Sequence, residues 1–318
     1  MRIKSIPFLV VLYLTIGVTP ASAQLKKVRF STTGVSVSEL PFKVAQLRGF
    51  YREEGLEVET ILIRGAVGMQ ALLGGSVDYT SASGSTIAAA VRGMPVKLVF
   101  ISSSKPQFDL ISQPQIKTVQ DLKGKIVGIS SRGGSNDLMM QMILQKNGLA
   151  PNKDVTTIIV GAQEETVLAL RTKLIAAALL TPPRPFMLQR EGYNRIAYTG
   201  DYLSTYANGG IGVTDEKIKT NPAEVAALVR AVVKALHFSR QNRAEMIKMM
   251  PGYLGIKDAV MIEQLYDLYL TRQSVDGSVD ENWMIGAIEF TQKTLGATIK
   301  EVPSSQVFDF SFVQKAAR

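Results

Sequence analysis

The sequence predicts an α/β fold of two similar lobes with mixed, mainly parallel sheets, joined by two crossover segments. Short β-rich runs alternate with helical stretches, the pattern of parallel strands linked by crossover helices. The alternating series occurs twice, with one spacing. A polar, glycine-rich return segment then leads into long amphipathic helices.

The first element is Met1 to Ala23, "MRIKSIPFLVVLYLTIGVTPASA". Arg2 and Lys4, an apolar run from Ile6 to Val18 and the small-residue end Ala21-Ser22-Ala23 read as a secretory signal with a cleavage site. The run holds 13 residues and includes Pro7 and Gly17, too short to span a bilayer comfortably. Export places the mature chain in the periplasm. Removing Arg2 and Lys4 takes the formal charge from +9 to +7. The remaining basic residues are scattered among acids, without the clustered stripe that nucleic acid would require. No cysteine occurs in the 318 residues, so neither disulfides nor a thiol-linked lipid contributes. These features suit a freely diffusing, monomeric protein.

Strands are predicted at 27–33, 57–63, 77–81 and 96–102, with helices at 40–49, 66–74 and 84–92. The second series has strands at 125–130, 155–160 and 175–180 and helices at 136–147 and 164–173. A shift of 98 residues lays "KVRFSTTG" from Lys27 on "KIVGISSR" from Lys125, and "ALLGGSVDYTSAS" (71–83) on "ALRTKLIAAALLT" (169–181). Element type and phase agree over about 55 positions, as two similarly built units would require. The segment "FISSSKPQFDLISQPQIKTVQDLKG" reads as the exit from the first lobe and "YLSTYANGGIGVTDEKIKTNP" as the return. The expected division is therefore 24–112 with 209–318 for lobe 1, and 113–208 for lobe 2. Asn221-Pro222 with Glu224 opens a helix whose apolar face carries Val225, Leu228, Val229, Val232, Val233 and Leu236. Helices over 242–250, 257–270 and 281–295 follow.

In open parallel sheets a ligand sits beyond the carboxyl ends of the strands, where loops enter helices. Four such loops are small and polar: "STTGVSVS", "SASGSTIAAAVRG", "SSRGGSNDLMM" and "LLTPPRPF". They supply the candidate ligand-binding residues Thr33, Gly34 and Ser36; Ser83, Gly84 and Ser85; Ser131, Arg132, Gly133, Gly134 and Ser135; and Thr181. Glycines let the N–H groups of a helix start approach an anion, and Arg132 could add a bidentate donor. Helix capping by the same hydroxyls, with Ser135 or Asn136 capping the second-lobe helix, is the competing explanation. Arg64 and Arg184 are weaker candidates. His237, the one histidine, lies on the flank of an apolar helix face and reads as structural. With one histidine and no cysteine, the usual zinc and iron sites and most nucleophile–histidine arrangements are excluded, and no phosphate-binding loop or nucleophile elbow occurs. Neither a cofactor nor a metal is expected. Trp283 reads as a packing residue able to report on closure.

Together, "ELPFKVAQLRGFYREEGLEVE", "MQALLGGSVDYTSASGSTIAAAVRGMPVKLV", "TVQDLKGKIVGISSRGGSNDLMMQMILQKNGL" and the ending "VFDFSFVQKAA" resemble ABC-transporter solute-binding proteins. The group is that for nitrate, taurine, alkanesulfonates and thiamine-precursor pyrimidines. The resemblance implies a type II periplasmic-binding-protein fold that closes on a small organic molecule, anions included. It implies delivery to a membrane permease with its ATPase, and ligand contacts from Thr33–Ser36, Ser83–Ser85 and Ser131–Ser135. One departure is Lys173-Leu174-Ile175-Ala176-Ala177, where such proteins often carry an acid, as the first lobe does at Asp78. Two rival functions share this fold: a periplasmic sensor subunit, and a pyrimidine-making enzyme whose fungal examples use a cysteine-rich iron motif missing from this chain.

Overall fold

The structure, a computed structural model, describes residues 24–63, 65–203, 205–296 and 301–316. The expected export signal, 1–23, lies outside them, and no helix among the described residues is long and apolar enough to cross a membrane. In chain order the first series is β1 (Lys26–Thr32), a 3-10 turn (Val37–Glu39), α1 (Leu40–Leu47), α2 (Phe50–Glu53), β2 (Leu56–Leu62), α3 (Gly65–Leu73), β3 (Tyr79–Thr80), α4 (Ser83–Val91) and β4 (Val96–Ser103). The second is β5 (Asp109–Ser112), β6 (Ile126–Ile129), α5 (Ser135–Lys146), β7 (Thr156–Ile159), α6 (Gln163–Arg171), β8 (Ala177–Leu180), α7 (Arg184–Arg190) and β9 (Asn194–Tyr198). The chain ends with β10 (Asn208–Thr214), α8 (Asp215–Thr220), α9 (Pro222–Gln241), α10 (Arg243–Leu254), α11 (Ala259–Arg272), α12 (Glu281–Thr294), α13 (Ser304–Val307) and α14 (Ser311–Ala316).

The two five-stranded sheets have one plan. The first runs β2-β1-β3-β10-β4 and the second β7-β6-β8-β5-β9. In each, the fourth strand is antiparallel to its neighbours and comes from the other half of the chain: β10 returns from the second sheet and β5 leaves the first. The 98-residue offset maps β1, β2 and β3 onto β6, β7 and β8, and extends to β4 and β9, which start at Val96 and Asn194. Even the turn before the third strand recurs: Gly75 has φ 70° and Lys173, 98 residues on, φ 59°. In the first lobe Asp78 accepts from the Arg29 N–H at 2.8 Å and pairs with Lys217. At the equivalent place Ala176 keeps only the backbone part of this arrangement, its N–H donating to the Ile126 carbonyl as the Asp78 N–H donates to that of Arg29. Neither Asp78 nor Ala176 lines the cavity described below.

Two expectations require correction. Asp109–Ser112 is a buried strand of the second sheet, so a boundary after residue 112 falls too late; the sheets exchange chain at 104–108 and 199–207. The "NGGIGVT" stretch is not an open return path but β10, buried between β3 and β4. Its glycines allow that burial: a Cβ at Gly210 would lie 2.6 Å from the Phe100 carbonyl. The face expected on α9 is as read, with all six residues at most 2% exposed. At about 1.5–3 kcal/mol per buried aliphatic side chain, it contributes on the order of 10 kcal/mol before ordering entropy is subtracted. Asn221 gives α9 no side-chain cap, and Glu224 is buried rather than solvated in the first turn.

Candidate ligand-binding site

A cavity of about 90 Å³ lies between the lobes, where the carboxyl ends of β1, β2 and β3 face those of β6, β7 and β8. Its wall takes Thr33, Gly34 and Ser36 from the first loop, and Ser81, Ser83 and Ser85 from the start of α4. From the other side come Ser131, Gly134 and Asn136 at the start of α5, Gln163 and Thr166 of α6, and Thr181 after β8. Asn208 and Gly209 of β10 and Phe108 of a crossover complete it. No charged side chain among the described residues lines it.

Eight of the candidates read from the sequence thus meet at one cavity: Thr33, Gly34, Ser36, Ser83, Ser85, Ser131, Gly134 and Thr181. Gly84 is buried within α4 and does not line it. Gly133, at φ 69°, turns the chain and donates its N–H to Asp137 Oδ2 at 2.9 Å. That turn sends Arg132 outward, where its guanidinium donates to the Thr157 carbonyl at 2.8 Å and to Asn152 Oδ1 at 3.4 Å, beside Asp137. The bidentate role expected of Arg132 is therefore not available to it. Ser135 is the first residue of α5. Arg64 lies outside the described residues. Arg184 reaches across the lobes, donating to the Val35 carbonyl at 2.6 Å and pairing with Glu164. His237 is exposed on α9 and is not part of the cavity. Trp283 packs against Phe308 and donates its indole N–H to the Ser104 carbonyl on a crossover, at 2.9 Å.

The hydroxyls do not sit at the N-cap positions of the helices that face the cavity. α4, α5 and α6 are preceded by Ala82, Gly134 and Ala162, all three line the cavity, and none of these helix starts has a side-chain cap. Three helix N-termini therefore turn their positive dipole ends to the cavity. Four buried polar atoms in its wall find no hydrogen-bond partner among the described residues: Ser131 Oγ, Asn136 Oδ1, Thr181 Oγ1 and Asn208 Nδ2. Their residues are each at most 8% exposed. Asn136 donates to the Leu179 carbonyl at 2.8 Å, which fixes its Oδ1 as the free acceptor. A buried polar group left unpaired costs about 1–3 kcal/mol, so four in one wall form a surface prepared for a ligand.

Sequence reading missed Asn136 as a ligand residue, Asn208, Gln163 and, behind the wall, Glu39. The carboxyl of Glu39 is 3% exposed, and burial pushes it up to about 7 against hydrogen bonds from Ser81, Thr32 and Thr33 that pull it down. An acid just before an apolar helix gives no sign in sequence that it is buried. Asn208 could have been found only by recognising the glycine-rich segment as a strand.

A family model described as "NMT1/THI5 like" matches residues 37–246. The riboflavin-binding protein RibY of Chloroflexus aurantiacus is 28% identical over 250 residues, 75% of this chain and 68% of that protein. A 4-amino-5-hydroxymethyl-2-methylpyrimidine phosphate synthase of Schizosaccharomyces pombe is 34% identical over 126 residues, 38% of this chain and 36% of that enzyme. Among solved structures, the alkanesulfonate-binding protein SsuA from Xanthomonas axonopodis pv. citri bound to MOPS is similar with a TM-score of 0.72. It is 16% identical, over 93% of this chain and 99% of that one, a likeness of fold.

Proposed function

The chain belongs to the NMT1/THI5-like family, and on that premise we propose that it is the periplasmic solute-binding component of an ABC importer. It captures a small polar molecule between its lobes and passes it to a permease with its ATPase, performing no chemistry. The observation that carries this reading is the convergence of four unpaired polar atoms and three bare helix starts on one interlobe cavity. The alkanesulfonate-binding neighbour supports it by fold and the riboflavin-binding relative by likeness over most of both chains. Neither ligand carries over. At about 10–15 Å³ for each ordered water, the cavity has room for roughly six to nine. Drug-sized ligands occupy about 300–1,000 Å³. Residues 1–23 serve export in this reading. The pyrimidine-synthase relative matches over a minor part of each chain, and the absence of cysteine removes an iron-ligating cysteine motif.

Thermal denaturation with sulfonates, carboxylates, inorganic anions and pyrimidines tests the reading, because a ligand that binds only the folded protein raises Tm. Thr181→Val should leave the unliganded protein as stable as before, or up to about 1 kcal/mol more stable, by removing an unpaired buried hydroxyl. The same substitution should weaken the cognate ligand about ten-fold. Loss of stability without loss of affinity would make Thr181 a structural residue. Recovery of the bound compound chemically changed after long incubation would overturn the binding-protein reading in favour of an enzyme.

Closure makes a second prediction. Ligand touching both lobes stabilises the closed state, and the Arg184 hydrogen bond to Val35 belongs to that state. Arg184→Met is expected to weaken ligand about five-fold, on the order of 1 kcal/mol, mainly through faster release. Stopped-flow fluorescence of Trp283 would follow it, and an unchanged off-rate would remove Arg184 from the closing contacts.

A further inference from the structure

Glu39 stands behind the first-lobe wall and does not itself line the cavity. Three hydroxyls converge on its carboxyl. Thr32 Oγ1 donates to Oε2 at 2.9 Å, while Thr33 Oγ1 and Ser81 Oγ donate to Oε1 at 3.0 and 2.8 Å. Of these, Thr33 and Ser81 line the cavity.

A hydroxyl has one proton to give. With that proton on Glu39, Thr33 and Ser81 turn only lone pairs toward a ligand. Ser81 Oγ spends one lone pair on the Thr33 N–H at 3.1 Å and keeps one, whereas Thr33 Oγ1 keeps both. This polarity survives protonation of Glu39. A proton on Oε2 can be given to Thr32, which is off the cavity wall, while Oε1 continues to accept from Thr33 and Ser81.

Resting on the binding-site reading above, we infer that Glu39 is a specificity-determining residue: by holding the protons of Thr33 and Ser81, it selects small ligands that present N–H donors to those two oxygens and rejects oxyanions placed against them. An oxyanion would meet lone pairs backed by a carboxylate. An N–H edge would meet two acceptors whose electron density that carboxylate enriches. The opposite wall complements this. There the starts of α5 and α6 offer donors and Asn136 Oδ1 one acceptor, while on the first lobe's own side Asn208 Nδ2 of β10 and the start of α4 also offer donors. A neutral molecule with an N–H edge and carbonyl or ring-nitrogen acceptors, such as an amide or an aminated heterocycle, satisfies both walls.

Two measurements test it. Neutron diffraction on deuterium-exchanged crystals should place the Thr33 and Ser81 hydroxyl deuterons on the line to Glu39, and deuterons turned into the cavity would overturn the inference with no ligand involved. Titration calorimetry should compare cytosine and nicotinamide with methanesulfonate, nitrate and acetate. The wild type is expected to prefer the N–H probes at least ten-fold. Glu39→Leu, which frees both hydroxyl protons, should abolish that preference and gain affinity for the oxyanions. If Glu39→Leu does not fold, Glu39→Gln removes the charge but keeps an acceptor, and should narrow the preference several-fold. Tighter wild-type binding of any oxyanion than of both N–H probes would overturn the inference. Deuterons on Glu39 with no binding in either set would uphold the wall's polarity and count against the small-ligand reading of the cavity.

Discussion

Between pH 4.5 and 7 the unliganded protein is expected to lose about 3 kcal/mol of folding stability that a Glu39→Gln variant retains. The sign follows from where the protons are. In the unfolded chain Glu39 titrates near 4.5, whereas in the folded protein burial holds it up to about 7. Across that window the folded state keeps a proton that the unfolded state has released, so raising the pH favours unfolding. The stabilisation is complete below 4.5 and lost as pH passes 7. Tyr51 and Tyr253 lie within the field of Glu39, and burial raises both phenols, so they stay neutral throughout. Arg184, which acts on Tyr253, is present in both proteins and cancels. Urea unfolding of the two proteins at half-unit steps would show the difference as diverging curves. Parallel curves would mean that Glu39 is hydrated or differently paired, and would remove the basis for its hold on Thr33 and Ser81.

The same residue marks the limit of what the chain discloses before it folds. The doubled α/β plan was legible because it is written in local patterns: β-rich runs at one phase, helical periodicity on α9, and an offset that survives even in the turn at Gly75 and Lys173. The strands that exchange between sheets were not legible. β5 is four residues long, and β10 is rich in glycine because its neighbours come too close for side chains, which is the composition of a loop. Both depend on partners far away in sequence. The site divided in the same way. Small polar residues after parallel strands led to eight residues of the cavity wall, since strand ends are where helix starts face a ligand. Direction was the missing information. Arg132 had the chemistry of a ligand residue, but the left-handed turn at Gly133 and the pull of Asp137 and Thr157 aim it outward. Glu39 had the appearance of a surface acid, and only the fold buries it and brings three hydroxyls to its carboxyl.

Glu224 is the counterpart of Glu39 and should behave in the opposite sense. It too is buried, but Lys26 and Lys217 reach its carboxylate at 2.6 and 2.7 Å, and Tyr79 donates to it at 2.8 Å. Burial acts to raise this carboxyl, yet the hydrogen bonds from Lys217, Lys26 and Tyr79 outweigh it, and the group sits below the ordinary carboxylate range. A depressed acid contributes stability that is present above its unfolded value and lost as pH falls through its folded one. Glu224→Ala is therefore expected to cost about 3 kcal/mol at neutral pH, because it leaves the fully buried Tyr79 hydroxyl without its acceptor and Lys217 short of a partner. Lys26, half exposed, accounts for little of that. The deficit should shrink in acid, where the wild type also surrenders the interaction, while Glu39 makes its own contribution largest there. Glu224→Gln, which can still accept from Tyr79, should recover about 1 kcal/mol. Because Tyr79 lies two residues before Ser81, a loosened β3 could also disturb the cavity. Affinity per folded molecule separates the two effects. If Glu224→Ala lowers stability and leaves ligand affinity intact, the network only holds the sheet; if affinity falls in step, the wall that Glu39 organises is positioned from behind by Glu224.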